Sequence, residues 1–314
     1  MKKKLIILTG PTAVGKTALS ISLAKAVNGE IISADSMQVY KKMNIGTAKI
    51  TRAEMEGVPH HLIDILDPSE DFNVFLFKEL ALKAMDEIYS NGHIPIITGG
   101  TGFYIQSVLY DVDFSKSEKD DGYREELQKI YEEKGAGYLH DMLKEIDEKA
   151  ANDIHPNNVK RVIRAIEYYK QTGSRISLHN EEQRAKKPLY DFVYFVLNDN
   201  RQAIYERIDK RVDEMISMGL LSEVKSLMDE GYDKSLVSMQ GLGYKEFIPY
   251  FEGKCSLEEC IAILKRDTRH FAKRQLTWFG REKEVTFVNI NEFNSDKNLI
   301  LKYMLDVIHN KNII

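Results

Sequence analysis

The chain has 314 residues, of which 43% are hydrophobic and 29% charged, and its formal net charge is −4. Such a length suits one large domain or two modest ones with a buried core, in an ordinary globular protein. No apolar run is long enough to span a membrane, and the stretch after Lys2-Lys3-Lys4 is too short for a secretory signal, so a cytoplasmic location is expected.

The first predicted element is a strand over Leu5–Thr9. It runs directly into Gly10-Pro11-Thr12-Ala13-Val14-Gly15-Lys16-Thr17 and a helical pattern over Ala18–Val27. The octet satisfies G-x-x-x-x-G-K-[ST] in the strand-to-helix setting that the pattern requires. Successive backbone N–H groups there wrap a polyphosphate at the positive end of a helix. Lys16 adds a point charge and the Thr17 hydroxyl a ligand for Mg²⁺. A glycine turn that binds nothing is the plain alternative, and the flanking strand and helix argue against it. A phosphorylated small molecule is therefore the expected ligand.

A second strand, Glu30–Ser33, leads into Asp35-Ser36-Met37-Gln38. In a parallel sheet Asp35 falls on the same edge as the glycine loop. A carboxylate there holds Mg²⁺ or serves as a general base, and spacing does not choose between them. A helical pattern over Phe75–Ser90 precedes the strand Ile94–Thr98 and the run Gly99-Gly100-Thr101-Gly102-Phe103-Tyr104. These glycines allow close backbone approach at the same rim, although a bland turn is their commoner meaning.

Between Phe114 and Lys187 the alternation stops, leaving helical patterns over Tyr123–Lys134, Tyr138–Glu148 and Val159–Gln171. In the last, Val159, Val162, Ile163 and Ile166 form an apolar stripe, with Lys160, Arg161 and Arg164 on another face. Strands resume at Asp191–Leu197 and Val285–Ile290. The expected fold class is α/β, a P-loop NTPase-like parallel sheet flanked by helices. Residues 1–114 and 190–314 form the core, and 115–189 an all-helical insertion domain. Cys255 and Cys260 are too few and wrongly spaced for a zinc site. Lys160–Tyr190 carries eight basic and three acidic residues, and Ile261–Arg281 six basic and one acidic. One such run is most simply a solvated helix face; two in an acidic protein suit a polyanionic partner.

Taken together, GPTAVGKT, DSMQVY, NIGTAK (Asn44–Lys49), HHLIDI (His60–Ile65) and GGTGFY resemble, in this order and spacing, the bacterial-type tRNA dimethylallyltransferases. So do IHPNNVKRVIRAIE (Ile154–Glu167), the Arg207/Arg211 helix ending in MGLLSEV, QGLGYKE (Gln240–Glu246) and FAKRQLTW (Phe271–Trp278). The resemblance implies transfer of a dimethylallyl group from dimethylallyl diphosphate to an exocyclic adenosine amine beside the tRNA anticodon. It assigns catalysis to Asp35, Thr101, Lys16 and Arg211, with Asp35 taking the amine's proton. It assigns phosphate binding to Gly10 through Thr17, Thr12 included, with Mg²⁺ on Thr17. The target nucleotide and anticodon stem-loop would meet Asp35, Ser36, Met37, Gln38, Thr101, Arg124, Lys160, Arg161 and Arg164. Gln240, Gly243, Tyr244, Lys273, Arg274, Gln275, Thr277 and Trp278 complete that surface, Trp278 being equally readable as a core anchor. Neither a membrane nor an obligate protein partner is expected. Gly280 stands where the family often has arginine, which leaves open the basic residue that touches RNA there. An ATP-dependent small-molecule or nucleotide kinase is the main alternative, and it gives the basic segments no task.

Overall fold

The computed structural model describes residues 2–114 and 121–314; residues 115–120, where the insertion was expected to begin, lie outside the described residues. The chain forms two compact units, Met1–Leu109 with Leu189–Ile314, and Tyr110–Pro188.

In the first unit β1 (Lys4–Thr9) feeds α1 (Lys16–Val27), followed by β2 (Gly29–Ala34), the two-residue β3 (His60–His61), α2 (Val74–Ser90), β4 (Ile94–Gly99) and α3 (Gly102–Leu109). The second unit holds α4 (Asp121–Ile146), α5 (Glu148–Asp153), α6 (Val159–Thr172) and α7 (Ile176–Ala185). The chain then returns with β5 (Asp191–Asn198), α8 (Arg201–Ser217), α9 (Leu220–Asp229), α10 (Ile248–Phe251), α11 (Leu257–Phe279), β6 (Val285–Asn289) and α12 (Lys297–Asn310).

The six strands are parallel in the order β3-β2-β4-β1-β5-β6. β1 lies inside the sheet, so Leu5, Ile6, Ile7 and Leu8 are all fully buried, and the strand reads as a continuous apolar run. Burying each such side chain contributes about 1.5–3 kcal/mol. On one face Ile6, Leu8, Ile31, Ile96, Val193 and Phe195 pack with Leu19 and Leu23 of α1 and Met304 of α12. Phe77 of α2 and Tyr104 of α3 stack at 4.5 Å, with Phe72 edge-on to both. α1 stops at Asn28, whose left-handed φ of 51° lets its N–H reach Ala24 O. The carboxyl ends of β1, β2 and β4 are drawn together. Thr9 Oγ1 donates to Gly99 O at 2.6 Å, and a Cβ on Gly99 would lie 2.3 Å from Ala34 O, so only glycine fits there.

In the second unit Leu127, Leu139, Leu143, Val162, Ile163 and Ile166 form a separate core. α4 breaks at Gly135 (φ 82°, ψ 173°), the interruption that the pattern placed between Lys134 and Tyr138. Asp147 caps α5 by accepting from Ala150 N, and its second oxygen accepts from Ser177 N.

Candidate active site

The loop from Gly10 to Gly15 bends through left-handed conformations at Gly10 (φ 146°), Ala13 (φ 62°) and Gly15 (φ 96°). A Cβ on Gly10 would fall 2.5 Å from Leu197 O, so the loop crosses β5 too closely for any other residue. Gly15 caps α1 without a side chain, leaving the helix's first N–H groups for a ligand. Lys16 Nζ folds back over the loop and donates to Gly10 O at 2.9 Å and Pro11 O at 2.8 Å. Burial and the nearby Arg211 guanidinium bring the Lys16 ammonium down to about 7, although the Asp35 carboxylate opposes the shift. Arg211 itself is pulled below its usual value by burial, with Glu214 opposing. Arg211 and Asp35 thus each stand within electrostatic range of Lys16. Val14, Gly15, Arg207, Lys210, Arg211 and Lys297 line a cavity of about 350 Å³ beside the loop.

Asp35 follows the carboxyl end of β2. Its Oδ1 accepts from Met37 N at 2.8 Å and Gln38 N at 3.3 Å, and its Oδ2 makes no hydrogen bond among the described residues. Thr101 N donates to Ala34 O at 3.2 Å, which sets Thr101 beside Asp35 across the β2–β4 pair. Burial raises Tyr104 well above its usual value, and the charges of Tyr40 and Asp35 add to the shift. Ser36, Met37 and Gln38 are half-buried at this rim, and Thr17 is exposed on the first turn of α1. No group of three or more His, Cys, Asp or Glu side chains among the described residues is placed to hold a metal ion. Magnesium bound largely through substrate phosphates, with one hydroxyl ligand, fits such a donor set.

Several residues assigned to the RNA surface are buried or hydrogen-bonded within the protein. Gln275 is buried on the inner side of α11, where its Oε1 accepts from Thr12 N at 2.8 Å and its Nε2 donates to Gly100 O at 3.0 Å. It braces the phosphate loop against the glycine run and is not exposed to RNA. A Cβ on Gly100 would lie 2.0 Å from that Nε2, which explains this glycine. Tyr244 is fully buried with its hydroxyl on Glu223, and Gly243 is buried beside it. Gln240 is exposed but donates to Lys234 O within its own turn. Arg124 forms a bidentate pair with the buried Glu167 at 2.8 and 2.6 Å, so its charge is matched within its own unit.

Others are exposed. Lys273, Arg274, Thr277 and Trp278 line an open groove of about 400 Å³ on α11, with His270 and Arg281. Trp278 packs edge-on to Phe103 and against Gly102 yet stays 37% exposed, combining an anchor with an accessible ring. In the second unit Lys160 and Arg161 are exposed and Arg164 half-buried, while Val162, Ile163 and Ile166 of the same helix are buried.

Arg207 escaped individual assignment from sequence. Its Nε donates to Ala13 O at 2.9 Å, and its guanidinium pairs with the buried Asp199 at 2.7 Å, holding the left-handed Ala13 in place. Its position one helical turn before Arg211 is the signal that could have found it.

Sheet order, glycine loop and rim define a P-loop-type α/β enzyme whose charged groups gather at the carboxyl ends of the strands. The IPP transferase family matches residues 38–282, and the isopentenyl transferase family matches residues 3–67. The chain is 60% identical over 310 residues to the tRNA dimethylallyltransferase of Lachnoclostridium phytofermentans, covering 99% of each. It is 54% identical to that of Acetivibrio thermocellus, covering 96% of each. Its structure is similar to the tRNA isopentenylpyrophosphate transferase of Bacillus halodurans (TM-score 0.74, 45% identity, 99% of this chain and 98% of that one). It is also similar to a eukaryotic dimethylallyltransferase acting on tRNA (TM-score 0.78, 34% identity, 91% of this chain and 74% of that one). The chain belongs to the tRNA dimethylallyltransferase family.

Proposed function

We propose that this chain transfers the dimethylallyl group of dimethylallyl diphosphate to the N6 amine of the adenosine adjacent to the anticodon in tRNA, releasing pyrophosphate. The observation that carries the reading is Lys16 folded over the phosphate loop, with the charges of Arg211 and Asp35 each acting on its ammonium. The allylic C–O bond breaks with its electron pair going to the diphosphate, and the amine lone pair forms the new C–N bond. Negative charge grows on the leaving oxygens, so loop N–H groups, Lys16 and Arg211 stabilise the transition state more than the ground state. The amine is a weak nucleophile because its lone pair is delocalised into the purine. Asp35 accepts its proton through the oxygen not already committed to Met37 and Gln38. Thr101, held next to Asp35, assists there.

Magnesium, carried by Thr17 and the substrate's own oxygens, would supply further neutralisation of the diphosphate. The adenine must leave its stack to reach Asp35, at a cost of a few kcal/mol. The groove on α11 and the exposed Lys160 and Arg161 offer cations for the phosphates of the stem-loop. No helix among the described residues is long and apolar enough to cross a membrane. The kinase reading uses the same loop but leaves those cations without a ligand.

One assay tests the proposal: the enzyme with Mg²⁺, labelled dimethylallyl diphosphate and either unmodified tRNA or AMP. Label in tRNA alone supports it. Label in AMP alone, or ATP consumption without label transfer, overturns it.

A further inference from the structure

Three sequence motifs have no task in the chemistry above: Asn44–Lys49, Met218–Val224 and Gln240–Glu246. They meet at one carboxylate. Glu223 sits in the first turn of α9, which starts from the left-handed Gly219 (φ 101°). Its Oε2 accepts from Asn44 N at 2.9 Å and Ile45 N at 2.8 Å, and its Oε1 accepts from Gly46 N at 3.0 Å. The buried Tyr244 hydroxyl donates to the same Oε1 at 2.7 Å. Two glycines make this contact possible. A Cβ on Gly46 would lie 2.6 Å from the Tyr244 ring, and one on Gly243 would lie 3.0 Å from Gly46 O. Three backbone donors and a hydroxyl converging on one carboxylate hold a loop far more firmly than neutral contacts would.

The far side of that loop carries Gln38. Its Nε2 donates to Thr47 O and to Ala48 O, each at 3.3 Å. With two carbonyl acceptors on that side, the amide's donor end is committed to the loop and Oε1 remains as its acceptor. The third motif also touches this segment, since a Cβ on Gly241 would fall 2.3 Å from Met37 Cε.

We infer that Glu223 is a positioning residue for base selection. By fixing the 44–49 loop it fixes the two carbonyls that orient Gln38. Gln38 then offers an acceptor to the second N6–H of adenosine, the first being directed to Asp35, and opposes the O6 acceptor of inosine or guanosine. The inference rests on the adenosine-prenylating reading of the site.

The test uses anticodon stem-loops with adenosine or inosine at the target nucleotide, titrated against the wild type, Gln38→Ala, Glu223→Gln and the double variant. Transfer into the adenosine RNA is followed in parallel. The wild type should prefer adenosine by about tenfold or more, the size expected of one well-placed hydrogen bond against a mismatch. Each single variant should lose most of that preference, and the double variant no more than Gln38→Ala, because the two act in series. KM for dimethylallyl diphosphate should stay within about twofold, a result that general loosening of the fold would not give. Tyr244→Phe keeps the ring against Gly46 and removes one of the donors, so it should cost about two- to threefold of the preference. If Glu223→Gln does not fold, Tyr244→Phe decides alone, an unchanged preference overturning the inference. Full preference in Glu223→Gln, or losses that multiply in the double variant, also overturns it while prenylation stands. A wild type that puts no label into RNA removes the underlying reading and the inference with it.

Discussion

Two carboxylates occupy opposite ends of β2 and live in different surroundings. Glu30, at the amino end, is buried and accepts from His61 Nε2 at 2.7 Å and His93 Nδ1 at 2.5 Å, with the Asn91 side chain as a further donor. Burial pushes its carboxyl up, but the hydrogen bonds from His61 and His93 outweigh that and hold it below the usual value. Asp35, just past the carboxyl end, spends one oxygen on its own turn and keeps the other uncommitted within electrostatic range of Lys16. A saturated carboxylate stabilises its neighbours. An unsaturated one at the rim of a parallel sheet is available for chemistry.

Substitution at each end should separate the two roles. Asp35→Ala is expected to lower turnover by about 10²–10⁴-fold, the usual contribution of a general base, while leaving RNA affinity nearly unchanged. Single-turnover prenylation alongside an RNA titration checks this. A retained rate with lost RNA binding would move Asp35 from chemistry to recognition.

Glu30→Ala should do the reverse. It leaves His61 and His93 without their shared acceptor, at a cost of about 1–3 kcal/mol of stability, with kcat of the folded protein maintained. Denaturant unfolding measures the loss. The sign of its pH dependence follows from the lowered folded-state value. The stabilisation is present above the ordinary glutamate value of 4.5 and fades as pH falls through the lower folded one. Between pH 5 and 3 the wild type should therefore lose more stability than Glu30→Ala does. Parallel curves would mean that Glu30 contributes nothing through its charge.

Asp35 and Glu30 also mark what could be read from the chain alone. Asp35 was legible because strand alternation and the glycine loop fix which edge of the sheet it reaches, and topology needs no side-chain partner. The long strands and the broken α4 were legible for the same reason, since periodicity and a glycine are local signals. β3 was not, because two residues, His60 and His61, carry no period. Nor were Gln275 and Glu223. Their meaning lies in partners 263 and 178 residues away, Thr12 and Ile45, and nothing near them in sequence encodes that pairing. Gln275 was assigned to the RNA surface by the resemblance of the whole FAKRQLTW segment, whereas the helix turns that one position inward. Tyr244, assigned to the RNA surface by the resemblance of QGLGYKE, is likewise buried, with its ring against Gly46.

The smallest expected effect lies at Lys16 and has the opposite pH sign from Glu30. In the free protein its ammonium titrates at about 7, because burial and Arg211 disfavour the charge more than Asp35 supports it. A bound diphosphate adds negative charge beside Nζ and favours the cation, so binding takes up a proton above that pH. Affinity for dimethylallyl diphosphate should be highest below pH 7 and decline by about fivefold between pH 7 and 8.5, within the linkage limit of tenfold per unit for one proton. Isothermal titration in two buffers of different ionisation enthalpy reads the proton uptake directly. Lys16→Met should bind weakly at every pH and lose the slope, since no group remains to be charged. A wild type whose affinity is flat from pH 6.8 to 8.5, with no proton taken up, would mean that the lysine stays cationic over its loop carbonyls. The two ends of β2 would then differ in hydrogen-bond saturation but not in how their neighbours titrate.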